Sequence, residues 1–178
     1  MGYVTLALFK KYANKADQDE TGEALYQIYL DSAEAVVQAY LGFAPKSQAY
    51  THILQGTGKK HLYLNAKPVT AIANIEVDGV AWDEADYRFE DEKIISIIGN
   101  VFPSGSEVEI TYTAGWATVP GDIQEVVLEI ASLKAMQAGE NIGLTSTSFD
   151  GGNSRTFVNY TNYDKYLDKL YHRKLVKI

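Results

Sequence analysis

Residues 107–130, EVEITYTAGWATVPGDIQEVVLEI, most constrain what this chain can fold into. Val108, Ile110 and Tyr112 alternate with Glu109, Thr111 and Thr113, the period of a strand with one face in a core and the other in water. Ala114-Gly115-Trp116 breaks that period. Pro120 has no N–H to give a ladder but suits the entry to a helix. Asp122 and Glu125 then put negative charge where the helix dipole favours it, and Ile123, Val126, Val127, Ile130 and Ala131 follow at helical spacing. A strand must therefore hand over to a helix across a tight corner, with Gly115, Trp116 and Pro120 as its structural residues. In this reading Ala114-Gly115 allows the close backbone turn and Trp116 plugs the joint.

Upstream of the corner the chain reads as helix, then strand. A short helix is expected over 5–12 and a long one over 23–41, where Leu25, Ile28, Tyr29, Ser32, Ala33, Val36, Val37, Tyr40 and Leu41 make an apolar stripe. Gly42 supplies a left-handed C-terminal residue and Pro45 a stop. From Gln48 the period changes to two. Strands are expected at 49–54 and 60–64, joined as a hairpin by Gly56-Thr57-Gly58. Others follow at 71–77 and 80–82 around Asp78-Gly79, and at 87–89 and 93–98 around an acidic turn. With the strand before the corner they make a small antiparallel sheet or barrel over 48–113. Downstream, helices are expected over 121–138 and 163–173, the last capped by Asn162 or Asp164. Residues 141–160, rich in Gly, Ser, Thr and Asn, read as an extended, flexible arm. The fold class is α+β: a small helical bundle with an inserted antiparallel β module and an extended C-terminal arm.

Composition narrows the function. A net charge of −7 argues against sequence reading of nucleic acid, which needs a basic footprint. Lys165, Lys169, Arg173, Lys174 and Lys177 concentrate positive charge at the C-terminal end. The 13 Tyr residues favour contact surfaces, since the ring is large and stiff with a polar tip. There is no Cys, hence no thiolate metal site, and no secretory signal or apolar span of membrane length is read in the sequence.

The motifs that suggest chemistry fail on their spacing. Gly56-Thr57-Gly58-Lys59-Lys60 lacks the earlier Gly and the later Ser or Thr of a phosphate loop, because Ile53 and Lys60 hold those positions. Asp17 to Gly22 imitates half a calcium loop, but its twelfth position is Ile28. His52 and His61 have no third ligand at a diagnostic spacing. No catalytic residues, cofactor or metal are assigned, and no enzyme is expected.

The order of elements carries a resemblance. A helix ends in Ala39-Tyr40-Leu41-Gly42; a β segment holds Leu62-Tyr63-Leu64, Lys67-Pro68-Val69 and Ile75-Glu76-Val77-Asp78-Gly79, with Tyr87 further on. Tyr112-Thr113-Ala114-Gly115-Trp116 and Val119-Pro120 then lead into Asp122-Ile123 and a helix. Tyr166-Leu167-Asp168-Lys169-Leu170-Tyr171-His172-Arg173 closes the chain. This order resembles the head–tail connector (adaptor) family of tailed bacteriophages, whose relatives are also labelled DNA-packaging proteins. The link 141–160 is longer here than in many relatives.

The resemblance implies one connector domain over 1–178, without catalytic activity, in a dodecameric ring beneath the portal at the head–tail junction of a phage or prophage virion assembled in the bacterial cytoplasm. The free chain can be a monomer until the portal templates the ring. Its partners would be the portal protein and the next head–tail connector; DNA would pass without sequence recognition, and no membrane is involved. The portal-facing candidates are Tyr163, Tyr166, Leu167, Leu170, Tyr171, Arg173 and Lys174. The alternative is a β-based carbohydrate-binding module of a phage or surface protein, with Tyr50, Tyr63, Trp82 and Tyr87 as stacking platforms.

Overall fold

The computed structural model describes residues 2–14, 20–91, 93–96, 101–137, 146–148, 154–156 and 163–175. The chain divides into two compact units, Met1–Tyr40 with Gly121–Arg173, and Leu41–Pro120 with Lys174–Ile178. Helices made from both ends of the chain form the first and the inserted strands form the second, which is the expected α+β class.

The helical unit begins with α1, Leu6–Tyr12, where Thr5 accepts a hydrogen bond from the Leu8 amide at 3.2 Å. Phe9 is fully buried and meets Tyr26 edge to face at 5.5 Å. Helix α2, Glu20–Leu41, starts earlier than the sequence suggests. Glu34 holds the N-terminal segment to it by accepting from the amides of Tyr3 at 2.5 Å and Val4 at 3.2 Å. The expected apolar stripe on α2 is displaced. Leu30, Ala33, Val37 and Leu41 are fully buried, whereas Leu25 and Ile28 are 46% and 60% exposed. At about 3.6 residues per turn Leu30, Ala33 and Val37 lie within about 80° of Leu41 around α2, whereas Leu25 and Ile28 lie about 160° and about 140° away, outside the inward arc.

Helix α3, Gly121–Gln137, starts directly after Pro120 and buries Ile123, Val126, Val127, Ile130 and Ala131 completely, the residues its spacing picked out. The last helical segment is α4, Asp164–Leu167, continued by a 3-10 turn over Asp168–Arg173. Tyr163 occupies its N-cap without a side-chain capping bond, and Asp164 lies in its first turn; Asn162 is outside the described residues. Within the expected arm the described residues form β8, Ser146–Ser148, and β9, Ser154–Thr156, paired antiparallel. The remainder of 141–160 lies outside the described residues.

The β unit holds two antiparallel sheets. In the four-stranded one the order is β1 (Gln48–Gln55), β7 (Glu107–Ala114), β3 (Val69–Val77), β4 (Val80–Ala81). In the other, β6 (Lys93–Ser96) lies between β2 (His61–Tyr63) and β5 (Tyr87–Glu90). The β7 strand is central, and Val108, Ile110, Tyr112 and Ala114 are all fully buried as their alternation requires. Asp78 and Gly79 have φ of 51° and 76°, the left-handed pair that a two-residue β3–β4 hairpin demands. The β5–β6 pair also forms as expected.

The first hairpin is not formed. β1 pairs with β7 over its whole length and β2 pairs with β6, so Gly56-Thr57-Gly58 joins two different sheets. That segment is held instead by the loop before β7. The amides of Gly56 and Gly58 donate to the carbonyls of Ser106 and Phe102 at 2.9 and 2.7 Å. An eight-residue ladder along β7 offers β1 far more backbone pairing than the three residues of β2 could.

Candidate functional site

The corner after β7 is built from backbone. Gly115 has φ of 102° and donates to the Pro68 carbonyl at 2.9 Å. Trp116 donates to Pro45 at 2.8 Å and accepts from Ser47 at 3.0 Å, while its ring lies 6.0 Å from that of Phe43. A Cβ on Gly115 would meet the carbonyls of Pro45 and Lys46 at 2.8 Å, so glycine is required both for its dihedral and for this approach. The corner is therefore where strand β7 is stitched to the segment after α2, and it contains no reactive group.

The portal-facing candidates sort into anchors and surface. Leu167 and Leu170 are buried, so they hold the α4 segment in the helical core. Tyr163 is half-buried, with Lys134 Nζ 5.1 Å from its ring centroid, and Tyr166 is also half-buried. Tyr171 is 75% exposed, and Lys174 is exposed. Arg173 donates through Nε to Asp122 of α3.

An ionic ladder that the sequence reading missed fixes this segment. Asp122, Glu125 and Glu129 recur along α3 at steps of three and four residues, and Lys169 and Arg173 recur at a step of four on the last segment. Lys169 Nζ reaches Glu129 at 2.7 Å and Glu125 at 3.2 Å, and Arg173 reaches Asp122 at 2.5 Å. Hydrogen bonding to Glu129 above all raises the Lys169 pKa. Burial pushes the Asp122 carboxyl up, but the Arg173 hydrogen bond and charge, with backbone N–H groups, carry it below its ordinary value. Acids at 122, 125 and 129 facing bases at 169 and 173 were a readable signal, had the two helices been known to pack.

The rival stacking residues do not make a platform. Tyr50 stacks on Tyr112 at 5.5 Å, Trp82 stacks on Phe102 at 5.0 Å and Tyr87 is buried, so three of the four rings already pack against neighbours within the unit. His52 Nδ1 lies 2.9 Å from the Tyr112 hydroxyl, and His61 packs against Tyr63. Among the described residues no group of three or more His, Asp or Glu could hold a metal ion, and no helix is long and apolar enough to cross a membrane. The segment after Gly58 enters strand β2 and not a helix, which removes the phosphate-loop geometry. Of the calcium-loop imitation, Asp17 to Asp19 lie outside the described residues.

The family model of head completion proteins matches residues 3–165. The chain belongs to the head completion protein family. That membership agrees with the connector resemblance carried by the order of motifs, and it favours a structural head–tail adaptor over the carbohydrate-binding alternative. Solved structures share the fold. One, from the neck of an empty GTA particle computed with C6 symmetry, has a TM-score of 0.65 at 19% identity, covering 99% of this chain and 91% of that one. Another, from the virion of a native gene transfer agent particle, has a TM-score of 0.63 at 19% identity with the same coverage. A third, from the neck of a native GTA particle computed with C12 symmetry, gives 0.60 at 18% identity, covering 97% and 89%. The comparison with curated proteins finds no match.

Proposed function

We propose that this head completion protein is a non-enzymatic ring subunit of the head–tail junction, seated under the portal, extending the DNA channel and offering a platform to the next connector. The observation that carries the reading is the family match over nearly the whole chain. Neck structures of the same fold, computed with C6 and C12 symmetry, support the ring. The acidic balance of −7 suits a channel that lets DNA pass by repelling it.

The portal contact is assigned to the outer side of the last helical segment. Tyr171 supplies the exposed aromatic group, with Tyr163 and Tyr166 at the margin, and the exposed Lys174, next in sequence after the segment, is a separate cationic candidate. Leu167, Leu170 and Arg173 position that surface from beneath. Deleting 162–178 would remove two buried leucines along with this surface, so point variants are the cleaner experiment. Wild type and a Tyr171→Ala, Lys174→Ala variant would be mixed with portal and viewed by negative-stain microscopy. Rings on the portal with wild type and few with the variant are expected. Wild-type protein that never forms rings would overturn the function, and full binding by the variant would overturn the surface.

A further inference from the structure

Strand β1 forms an edge of the four-stranded sheet for eight residues, and among the described residues no strand pairs with its outer side. Other edges are blunted. β4 has two residues, β2 three, and β5 carries Arg88 and Glu90 among its four. Short length and charge are how proteins keep open edges from recruiting strands. Gln48–Gln55, QAYTHILQ, has neither defence and no Pro, and Ile53 on its outward face is 63% exposed.

The chain also holds a ribbon in need of a third strand. β8 and β9 have three residues each and, among the described residues, pair only with one another. A two-stranded ribbon of that length has little stability of its own in water. Arg155 in β9 is the one charged residue of these strands. Along the inner side of β1, Glu107 and Glu109 of β7 stand opposite Gln55 and Ile53. A strand bringing positive charge to the outer side of β1 would lie two strand spacings, roughly 10 Å, from β7, at the outer reach of its two carboxylates.

We infer that β9 of one copy adds to the open edge of β1 in a neighbouring copy, so that the four-stranded sheet continues across the subunit boundary. The inference rests on the ring reading, since it needs a second copy. The two surfaces differ, so the contact is head-to-tail; such a contact closes into a ring when the rotation between copies permits. A ladder of three residues is weak singly, but a closed ring repeats it at every boundary and no copy can leave without breaking two.

The absence of Cys from the chain makes disulfide trapping a clean test. Full-length Thr51→Cys or Ile53→Cys protein would be mixed with full-length Arg155→Cys protein under mild oxidation. Paired strands bring such positions within disulfide range. Cross-linked dimers should form at least about tenfold faster than from Arg155→Cys mixed with Val80→Cys, because strand addition raises the local concentration of one pair only. Val80, on β4, is 65% exposed and serves as an accessible control. Equal rates would overturn the inference, as would a Thr51→Cys, Arg155→Cys double variant that closes within one chain at high dilution. Microscopy of the same samples separates the two claims. Rings without selective trapping would sink the strand addition and leave the ring, whereas selective trapping without rings would do the reverse.

Discussion

Arg173 donates through Nε to Asp122 Oδ2 at 2.5 Å, tying the end of the chain to the first turn of α3 across 51 residues. The contact explains why a basic residue near the C-terminus is not simply a surface charge for a partner. The folded Asp122 carboxyl titrates below its ordinary 3.8, because the Arg173 bond and charge outweigh burial. A depressed carboxylate pKa contributes stability above the unfolded value and loses it as pH falls through the folded one. Arg173→Ala should therefore cost about 1 kcal/mol at pH 7, in line with a partly exposed pair. The cost should shrink toward zero once the pH drops below the folded value, itself under 3.8. Urea midpoints of both proteins at neutral and acid pH measure this, and an unchanged difference would show that the pair is not its source.

Leu170 and Tyr171 are adjacent, but one is fully buried and the other 75% exposed. Leu170→Ala should destabilise by about 3 kcal/mol through the cavity it leaves. Tyr171→Ala should change stability by less than about 0.5 kcal/mol, as surface replacements do. Portal co-sedimentation of the folded Tyr171 variant should instead fall by about tenfold, the cost of one aromatic anchor. A Tyr171 variant with wild-type melting and wild-type portal binding would free this residue of any role there.

Local periods carried most of the fold into the sequence. β7 was legible because its alternation is strict, and α3 because its apolar residues keep helical steps from Ile123 to Ala131. The Asp78-Gly79 hairpin was legible because few residue pairs accept positive φ twice in succession. Strand pairing was not. Gly56-Thr57-Gly58 has hairpin chemistry, but the choice between β2 and β7 as partner of β1 depends on contacts across some 60 residues, which no local pattern records. Leu25 and Ile28 misled for a related reason: their spacing is helical, but which arc of α2 turns inward depends on what packs there. In the candidate surface the tyrosines were visible as residue types. Their division from Leu167 and Leu170 required the register of the last segment against α3.

Gly115 separates strain from collision. Its φ of 102° is unfavourable for any side chain, and a Cβ would also reach the Pro45 and Lys46 carbonyls at 2.8 Å. Gly79, with φ of 76°, has nothing within 4 Å of the same position. Gly79→Ala should cost about 1 kcal/mol, the left-handed penalty alone. Gly115→Ala should cost about 3 kcal/mol or more, and Gly115→Val more again, because backbone must move. Thermal melts of the three variants give the order. Similar losses at Gly79 and Gly115 would mean that the corner relaxes freely.

The His52–Tyr112 pair sets limits on stability at both ends of the pH scale. Burial lowers the His52 pKa from 6.5, and burial first, then the neighbouring Tyr50, pushes the Tyr112 phenol up to about 12. Both groups are therefore neutral around pH 8, 2.9 Å apart at the β1–β7 boundary. A lowered histidine pKa means that the unfolded chain binds the proton first, so stability falls as pH drops through 6.5 toward the folded value. A raised tyrosine pKa means that the unfolded chain loses its proton first, so stability falls as pH climbs from 10 toward 12. Subtracting the urea midpoints of a His52→Gln variant from wild type should isolate the acid limb and leave the alkaline one intact. Tyr112→Phe should do the opposite. If His52→Gln leaves the acid limb unchanged, the ring is solvated in the folded state and the open edge of β1 is looser than its ladder to β7 implies.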